Sequence, residues 1–276
     1  MNQQVPGTIR TRREDGVAIL TLHRPEALNA FNRAMMAEVT LAIDEFGRDP
    51  DVRAVVVHGA GRAFSAGFDL KESLSGSKRT TEALREVLET DLAFILQFWD
   101  CPKPIIAAVH GYCLAGAFEL ALACDMTVAD EGTRLGEPEV RFGSGMVALL
   151  LPWMTSPKLA KELLLTGNDK LDARRGYEMG IINAVVPEGE HLDTAVTAAR
   201  KIAAAAPAAV QLTKRAINRG YEMAGLRQAL TAALDIDVLI ESSGGAEKAE
   251  FNRLRQEKGL KAALEWRDAR FRDPGR

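Results

Sequence analysis

An α/β fold that ends in an all-helical region is the class this sequence predicts, and two observations carry it. Through about residue 190, short β-branched and aliphatic runs alternate with segments whose apolar residues recur at helical spacing. That is the pattern of repeated β-then-α units joined by right-handed crossovers. Beyond that point helical signals follow one another almost without a strand. The change divides the chain into a core over 1–190 and a helical region over 191–276.

Each element has its own signal. Val17 to Leu22 follows the turn-like Glu14-Asp15-Gly16 and reads as a strand. Asn32 is placed to cap a helix in which Met35, Val39, Ala42, Ile43 and Phe46 share one face, ending near Gly47. Arg53 to His58 is a continuous apolar strand of the kind buried on both faces. A polar loop is expected over about 59–80, a helix over 81–98, a strand over Ile105 to Val109, and a helix over 115–124. Met126 to Ala129 is a further strand, Ser156-Pro157 opens a helix with Pro at its first position, and Asp172 to Gly180 is a short capped helix before the strand Ile182 to Val186. The helical region shows an Ala-rich run over 192–206 and new starts at Pro207, after Gly225 and after Gly244-Gly245. The tail places Leu260, Leu264 and Arg267 at helical spacing, which by itself describes a solvated helix packed on the body.

Composition narrows the function classes. The 276 residues include 35 Lys plus Arg against 38 Asp plus Glu, a formal net charge of −3, so the basic excess of a nucleic-acid surface is missing. At 47% apolar and 26% charged, the chain resembles an ordinary compact globular protein. Cys101, Cys113 and Cys124 cannot all pair within one chain and match no zinc spacing, which suggests reduced thiols in a cytoplasmic setting. No stretch reads as a signal peptide or reaches the ~20 apolar residues needed to span a bilayer. The histidines at 23, 58, 110 and 191 are not at ligand spacing, so no metal is expected.

Two stretches could carry chemistry. Gly59-Ala-Gly-Arg-Ala-Phe64 fails as a dinucleotide fingerprint because Phe64 stands where the third glycine is needed. Phe64-Ser-Ala-Gly-Phe-Asp-Leu70 follows, with small residues around Gly67 that would let a backbone approach a ligand; alone it reads as a tight surface turn. The second stretch is Ile106 to Asp125, a buried strand that runs through a glycine turn into a helix beginning Ala115-Gly116-Ala117. Free N–H groups at a helix start can receive an anion, and Glu119 shares a face with Gly116 three residues earlier.

Taken together these residues resemble the enoyl-CoA hydratase/isomerase (crotonase) family. Ile106 to Asp125 is similar to its signature segment, Phe64 to Leu70 to its S-A-G-x-D-L loop, Leu22 to Ala30 to its R-P-x-x-x-N-A element, and Gly259 to Phe271 to a diverged form of its C-terminal segment. Four motifs in the right order span essentially the whole chain. The resemblance implies a crotonase-like spiral of ββα units followed by a helical trimerisation region, assembled as a homotrimer or a hexamer of two trimers.

The resemblance also implies site residues. The backbone N–H groups of Phe68 and Gly116 form an oxyanion hole for the thioester oxygen of an acyl-CoA. Glu119 is the base that orients water, and Glu139, in Leu135-Gly-Glu-Pro-Glu139, gives a proton to the α-carbon. Arg24, Ala27, Leu28, Ala66, Gly67, Asp69 and Leu70 match segments that line the CoA channel. No separate cofactor is implied, since coenzyme A enters with the substrate. Glu137 is expected to be solvent-facing or structural, Lys103 to have a surface role, and His110 to be a hydrogen-bonded structural residue. After Glu139 the sequence departs from the family: Val140-Arg-Phe-Gly-Ser-Gly-Met146 lacks the usual proline, and Arg141 becomes a candidate acyl-pocket cation, able to pair with Glu139 or with a substrate carboxylate.

The expected reaction is reversible syn addition of water to a 2-enoyl-CoA through a thioester enolate. Δ3-Δ2-enoyl-CoA isomerase is the nearest alternative within the family, followed by thioester hydrolysis or carbon–carbon cleavage. A non-catalytic acyl-CoA- or RNA-binding protein is the alternative from another class.

Overall fold

A computed structural model describes residues 7–73 and 80–272. Positions 74–79 of the expected polar loop, the first six residues and tail positions 273–276 lie outside the described residues. The chain opens with β1 (Ile9–Glu14) and β2 (Val17–Leu22), then α1 (Arg33–Arg48), β3 (Ala54–Gly59), the one-turn α2 (Leu70–Ser73), α3 (Thr81–Asp100) and β4 (Ile105–Val109). It continues through β5 (Tyr112–Leu114), α4 (Gly116–Ala123), β6 (Met126–Asp130), β7 (Arg134–Gly136), α5 (Leu151–Met154), α6 (Pro157–Thr166), β8 (Leu171–Asp172), α7 (Ala173–Glu178) and β9 (Ala184–Val186). Five helices close it: α8 (His191–Ala203), α9 (Pro207–Met223), α10 (Leu226–Ser243), α11 (Ala246–Lys258) and α12 (Leu260–Ala269).

The caps read from the sequence are in place. Asn32, Ser156 and Asp172 accept from Met35 N at 2.9 Å, Leu159 N at 3.4 Å and Arg175 N at 2.7 Å, so each starts its helix where a side-chain oxygen satisfies a free N–H. All five apolar positions named for α1 are buried.

Six strands form the main sheet in the order β1-β2-β3-β4-β6-β9, antiparallel at β1 and parallel elsewhere. Strand alternation sends Val55 and Val57 to one face, with α1, α3 and α4, and Ala54 and Val56 to the other, where Ala195, Val196 and Ala199 of α8 cover them. The β1 edge carries Arg10, Arg12 and Arg13 on a mostly exposed strand, a charged edge that discourages pairing with another sheet. A second sheet of order β5-β7-β8 stands apart. Its strands are two or three residues long, too short to show a period in the sequence.

The later helices are fastened to the core by an ion pair whose lysine is buried and whose aspartate is partly exposed. Lys214 Nζ on α9 lies 2.7 Å from Asp125 Oδ2 and donates to the Lys103 carbonyl at 3.1 Å. Asp125 also accepts from Ile105 N at 2.7 Å, which fixes the start of β4. Lys103 is buried, 6% exposed, so the expected surface role gives way to one in the core: Pro102 and Pro104 bracket it and its carbonyl serves α9. Replacing Lys214 by Met would leave the partly exposed Asp125 carboxylate without its cation and the Lys103 carbonyl without its donor. The expected loss is about 1–2 kcal/mol in urea unfolding, with α9 becoming sensitive to proteolysis; unchanged stability would show that the pair contributes nothing.

Candidate active site

Two loops and a helix start build one half of the site. Asn29 is fully buried in a left-handed conformation, and its amide donates to the carbonyls of Ala60 and Ala63 at 2.8 Å each while its Oδ1 accepts from Arg24 N at 2.9 Å. This side chain ties the first loop to the second. Ser65 Oγ donates to Asn29 O and accepts from Gly67 N, Ala66 N donates to Leu28 O, and Leu114 N donates to Ser65 O.

Phe31 then sets the direction of the Phe68 amide. Phe31 donates its N–H to Gly67 O at 2.8 Å and accepts from Asp69 N at 3.0 Å, so the intervening Phe68 N–H faces the opposite side, away from Phe31. On that side lies the start of α4. Gly116 is its first residue, with no intrahelical acceptor for its N–H. Gly67 has a φ of 84°, and an added Cβ would lie 2.8 Å from Ala115 Cβ and 3.0 Å from Gly116 N, so only glycine lets the two segments approach this closely. The Phe68 ring covers Gly116 and meets Phe31 and Phe94 edge-on, with centroids 5.8 and 6.3 Å away. Two backbone N–H groups thus come together with the positive end of a helix behind one of them.

Of the other residues expected to line a CoA channel, Arg24 is held by Ala30 O at 2.5 Å and Asp69 Oδ2 at 3.1 Å. Ala27 closes a 3₁₀ turn, and Leu28 adopts a left-handed conformation beyond it. Leu70 packs beside Phe142, Phe251 and Leu254, and its carbonyl accepts from Arg255 of α11 at 3.1 Å.

The other half of the site is a cluster of buried carboxylates. Glu119 on α4 is 2% exposed; its Oε1 accepts from Ala148 N at 2.8 Å and its Oε2 meets no partner. Glu139 begins the 3₁₀ turn Glu139–Phe142 and also has a buried oxygen without a partner. Burial and the nearby Glu139 push Glu119 well above the ordinary carboxylate range. Glu139 is lifted to about 7, chiefly by burial, with Glu137 and Arg267 opposing the rise.

Of the two roles expected for Glu137, the solvent-facing one is overturned and the structural one stands. Glu137 is 2% exposed and faces Glu139, because Pro138 turns the chain between them with φ −81° and ψ 4°. Burial and two carboxylate neighbours push Glu137 well above the ordinary carboxylate range, and it shares a hydrogen bond with Glu139 that favours the charged form of Glu139. Arg141 likewise takes a partner other than Glu139: its Nη1 lies 3.0 Å from Asp169 Oδ1 and its guanidinium stacks on Phe271 at 4.9 Å. Asp169 bridges it to Arg267, 3.2 Å away, and Arg267 is the cation that acts on Glu139.

Arg267, Asp169 and Asp237 were not singled out as site residues. Arg267 had a signal, being in phase with Leu260 and Leu264; so had Asp237, which falls on the apolar face of α10 beside Leu234 and Val238. Asp169 had none, because a loop has no period. His110 donates Nε2–H to Gly61 O, 2.9 Å away, and stacks on His191 at 4.4 Å, as a structural histidine does. Cys101, Cys113 and Cys124 are buried free thiols, and burial raises all three pKa values away from reactivity. Among the described residues, no group of three or more His, Cys, Asp or Glu is arranged to hold a metal ion, and no helix is long and apolar enough to cross a membrane.

Comparison with known proteins agrees with this arrangement. The family model described as enoyl-CoA hydratase/isomerase matches residues 12–274. The chain is 48% identical to a crystallographically determined enoyl-CoA hydratase/isomerase from Xanthobacter autotrophicus Py2, with a TM-score of 0.93 over 96% of this chain and 98% of that one. It is 36% identical over 215 residues to the short-chain-enoyl-CoA hydratase of Clostridium acetobutylicum, covering 76% of this chain and 80% of the relative. It is 37% identical over 213 residues to the (E)-benzylidenesuccinyl-CoA hydratase of Thauera aromatica, covering 75% and 80%. With two facing amides, a buried carboxylate pair and a match over nearly its whole length, the chain belongs to the enoyl-CoA hydratase/isomerase family, as an enzyme of that kind with its α/β fold.

Proposed function

We propose that this enzyme adds water reversibly to a 2-enoyl-CoA, and that Glu119 and Glu139 act as one unit on that water. The observation that carries the reading is the pair itself: buried Glu119 and half-buried Glu139, carboxyl groups that feel each other's charge, each with a buried oxygen that meets no partner among the described residues. The Phe68 and Gly116 amides supply what the same reaction needs at its other end. Addition at the β-carbon places negative charge on the thioester oxygen as the enolate forms, and two preorganised donors stabilise that charge where it develops.

The pair holds one proton to best effect, because burial and mutual repulsion oppose two charges. In the free site the balance favours the proton on Glu119, since Glu137 and Arg267 stabilise negative charge on Glu139. A water bound between them relays it: Glu119 gives its proton to the water, which passes one to Glu139. Glu119 is then the base and Glu139 the acid. Water oxygen bonds to the β-carbon as its proton returns to Glu119, and Glu139 delivers a proton to the α-carbon of the enolate. Both atoms of the added water's O–H bond are accounted for, and the pair ends with one proton as it began.

Crotonyl-CoA with the purified enzyme should lose its enone absorbance and yield 3-hydroxybutyryl-CoA, with Glu119→Gln and Glu139→Gln each slower by about 1,000-fold, a barrier change of ~4 kcal/mol. Activity within about threefold of wild type in both variants would sink the two-carboxylate mechanism. Conjugation of a 3-enoyl-CoA without hydration would assign the protein to the isomerases instead.

The raised Glu139 has a second consequence. Its carboxyl binds a proton more tightly folded than unfolded, so its stabilising contribution is complete below the ordinary carboxylate range and is lost as pH rises through about 7. Glu139→Gln should therefore gain on wild type between about pH 4 and about pH 8, by up to ~3 kcal/mol in denaturant unfolding. A difference that does not vary with pH would show that Glu139 titrates normally.

We infer an oligomer from the outer helices. Ile217 and Met223 of α9 are 57% and 81% exposed, and Ile236 and Leu239 of α10 are 59% and 67% exposed. Such large apolar side chains on adjoining helices suit a subunit interface. Sedimentation should give a trimer or hexamer of the 30.0 kDa chain at micromolar concentration, and a monomer alone would refute this.

A further inference from the structure

Asp237 is a buried carboxylate that the two-glutamate mechanism does not use. It is 2% exposed, and among the described residues neither of its oxygens meets an aligned donor. Its neighbours of like charge are provided for: Asp91 holds Arg33 at 2.8 Å, and Glu241, one turn along α10, takes Lys248 and Ser144. Beside Asp237 lie only the poorly aligned Gly145 N–H and the more distant charge of Lys248, so among the described residues the buried carboxylate lacks a well-formed hydrogen bond and could take a donor from elsewhere.

Its surroundings say where that donor would come from. The carboxylate rests on Gly145, where an added Cβ would lie 2.0 Å from Oδ1, so the glycine at 145 makes the room that Asp237 fills. Gly145 stands three residues before Ala148, whose N–H holds Glu119. On the other side, Leu234 and Val238 flank Asp237 on α10 and pack with Leu88 of α3 and with Val147. Asp237 is also close enough to raise the carboxyl groups of Glu119 and Glu139 by its charge. The segment that holds Glu119 through Ala148 thus also carries Gly145 against Asp237, so the wall of α3, α10 and residues 143–147 adjoins the glutamates, and an acyl chain extending past them on this side would meet it.

We propose that Asp237 is a specificity-determining residue that reads a hydrogen-bond donor, a hydroxyl or an ammonium group, on the distal part of the acyl chain. The inference rests on the acyl-CoA reading of the site. It assigns the helical region a part in choosing the substrate, and it gives a reason for the Gly-Ser-Gly stretch that replaces the usual proline-containing segment after Glu139. A purely apolar acyl chain would leave both oxygens unanswered, the situation in which a polar site discriminates against the analogue lacking the donor.

Direct binding tests this without depending on which reaction is catalysed. Titration calorimetry on the full-length wild type should show 6-hydroxyhexanoyl-CoA or 6-aminohexanoyl-CoA binding about tenfold more tightly than hexanoyl-CoA, a difference of ~1.4 kcal/mol. The hydroxyl and amino arms distinguish the two donors. Asp237→Leu should abolish or reverse the preference, and Asp237→Asn, which keeps the shape and one acceptor, should retain part of it for the hydroxyl ligand and lose it for the amine. Equal binding of polar and apolar chains by wild type, or the same preference in Asp237→Leu, overturns the proposal and leaves the acyl-CoA reading standing. Failure of all three ligands to bind wild type would remove that reading, and this inference with it.

Discussion

Bringing Glu119, Glu137 and Glu139 out of water together is costly, because each carries the same charge when ionised and the interior screens that charge poorly. The surrounding structure answers the cost in three ways. Protonation removes charge from Glu137 and favours neutrality at Glu119; the Ala148 N–H offers one donor to Glu119; and Arg267 places a positive charge near Glu139. Arg267 is itself held in place by Asp169, which also holds Arg141. The ion-pair chain thus presents one cation to one glutamate, and Glu139 is held near 7, where, in the proposed mechanism, a carboxyl can both take and give a proton.

The proposed oxyanion side solves a different problem, holding the N–H groups of Phe68 and Gly116 free of acceptors among the described residues. A free backbone donor normally finds an acceptor, so these must be kept from their neighbours by geometry. Phe31 pairs with the residues either side of Phe68, and helix geometry deprives Gly116 of an acceptor. The arrangement is tight enough to hold Ala115 at φ 57° and ψ −139°, a conformation that favours glycine and costs an ordinary residue about 1–3 kcal/mol. Asn29 supplies the restraint, with its amide shared among loop carbonyls that would otherwise be free to move.

Much of this was legible in the sequence, and the exceptions have physical causes. Strands buried on both faces, such as Ile105 to Val109, and helices with side-chain caps, such as the one begun by Asn32, leave local signals, and they stand where those signals put them. The small sheet does not, because strands of two or three residues are shorter than any period. Glu137 was misread for a related reason: burial is a property of the assembled fold, while the base rate for a glutamate beside proline points outward. The partner that Arg141 takes, Asp169, was not legible because it lies 28 positions away and only folding brings the two together. Motifs located the groups that touch substrate in the reading above; the charges that tune them came from segments without motifs.

Those tuning charges arrive largely from the helices after residue 190. Arg267 reaches Asp169 from α12, Arg255 holds Leu70 from α11, and Asp237 lies on Gly145 from α10. Phe251 stacks on Phe142 at 4.9 Å, so α11 also braces the short turn that begins with Glu139. The sheet and its loops place the oxyanion donors and both glutamates, but the proton affinity of Glu139 depends on a cation more than 120 residues downstream. A helical region that served only to join subunits would not need a buried arginine and a buried aspartate on faces turned toward the reacting groups. Its polar residues couple the packing of the outer helices to the charge state of the site, so any assembly contact that shifts α10 or α12 also shifts the environment in which the proton moves.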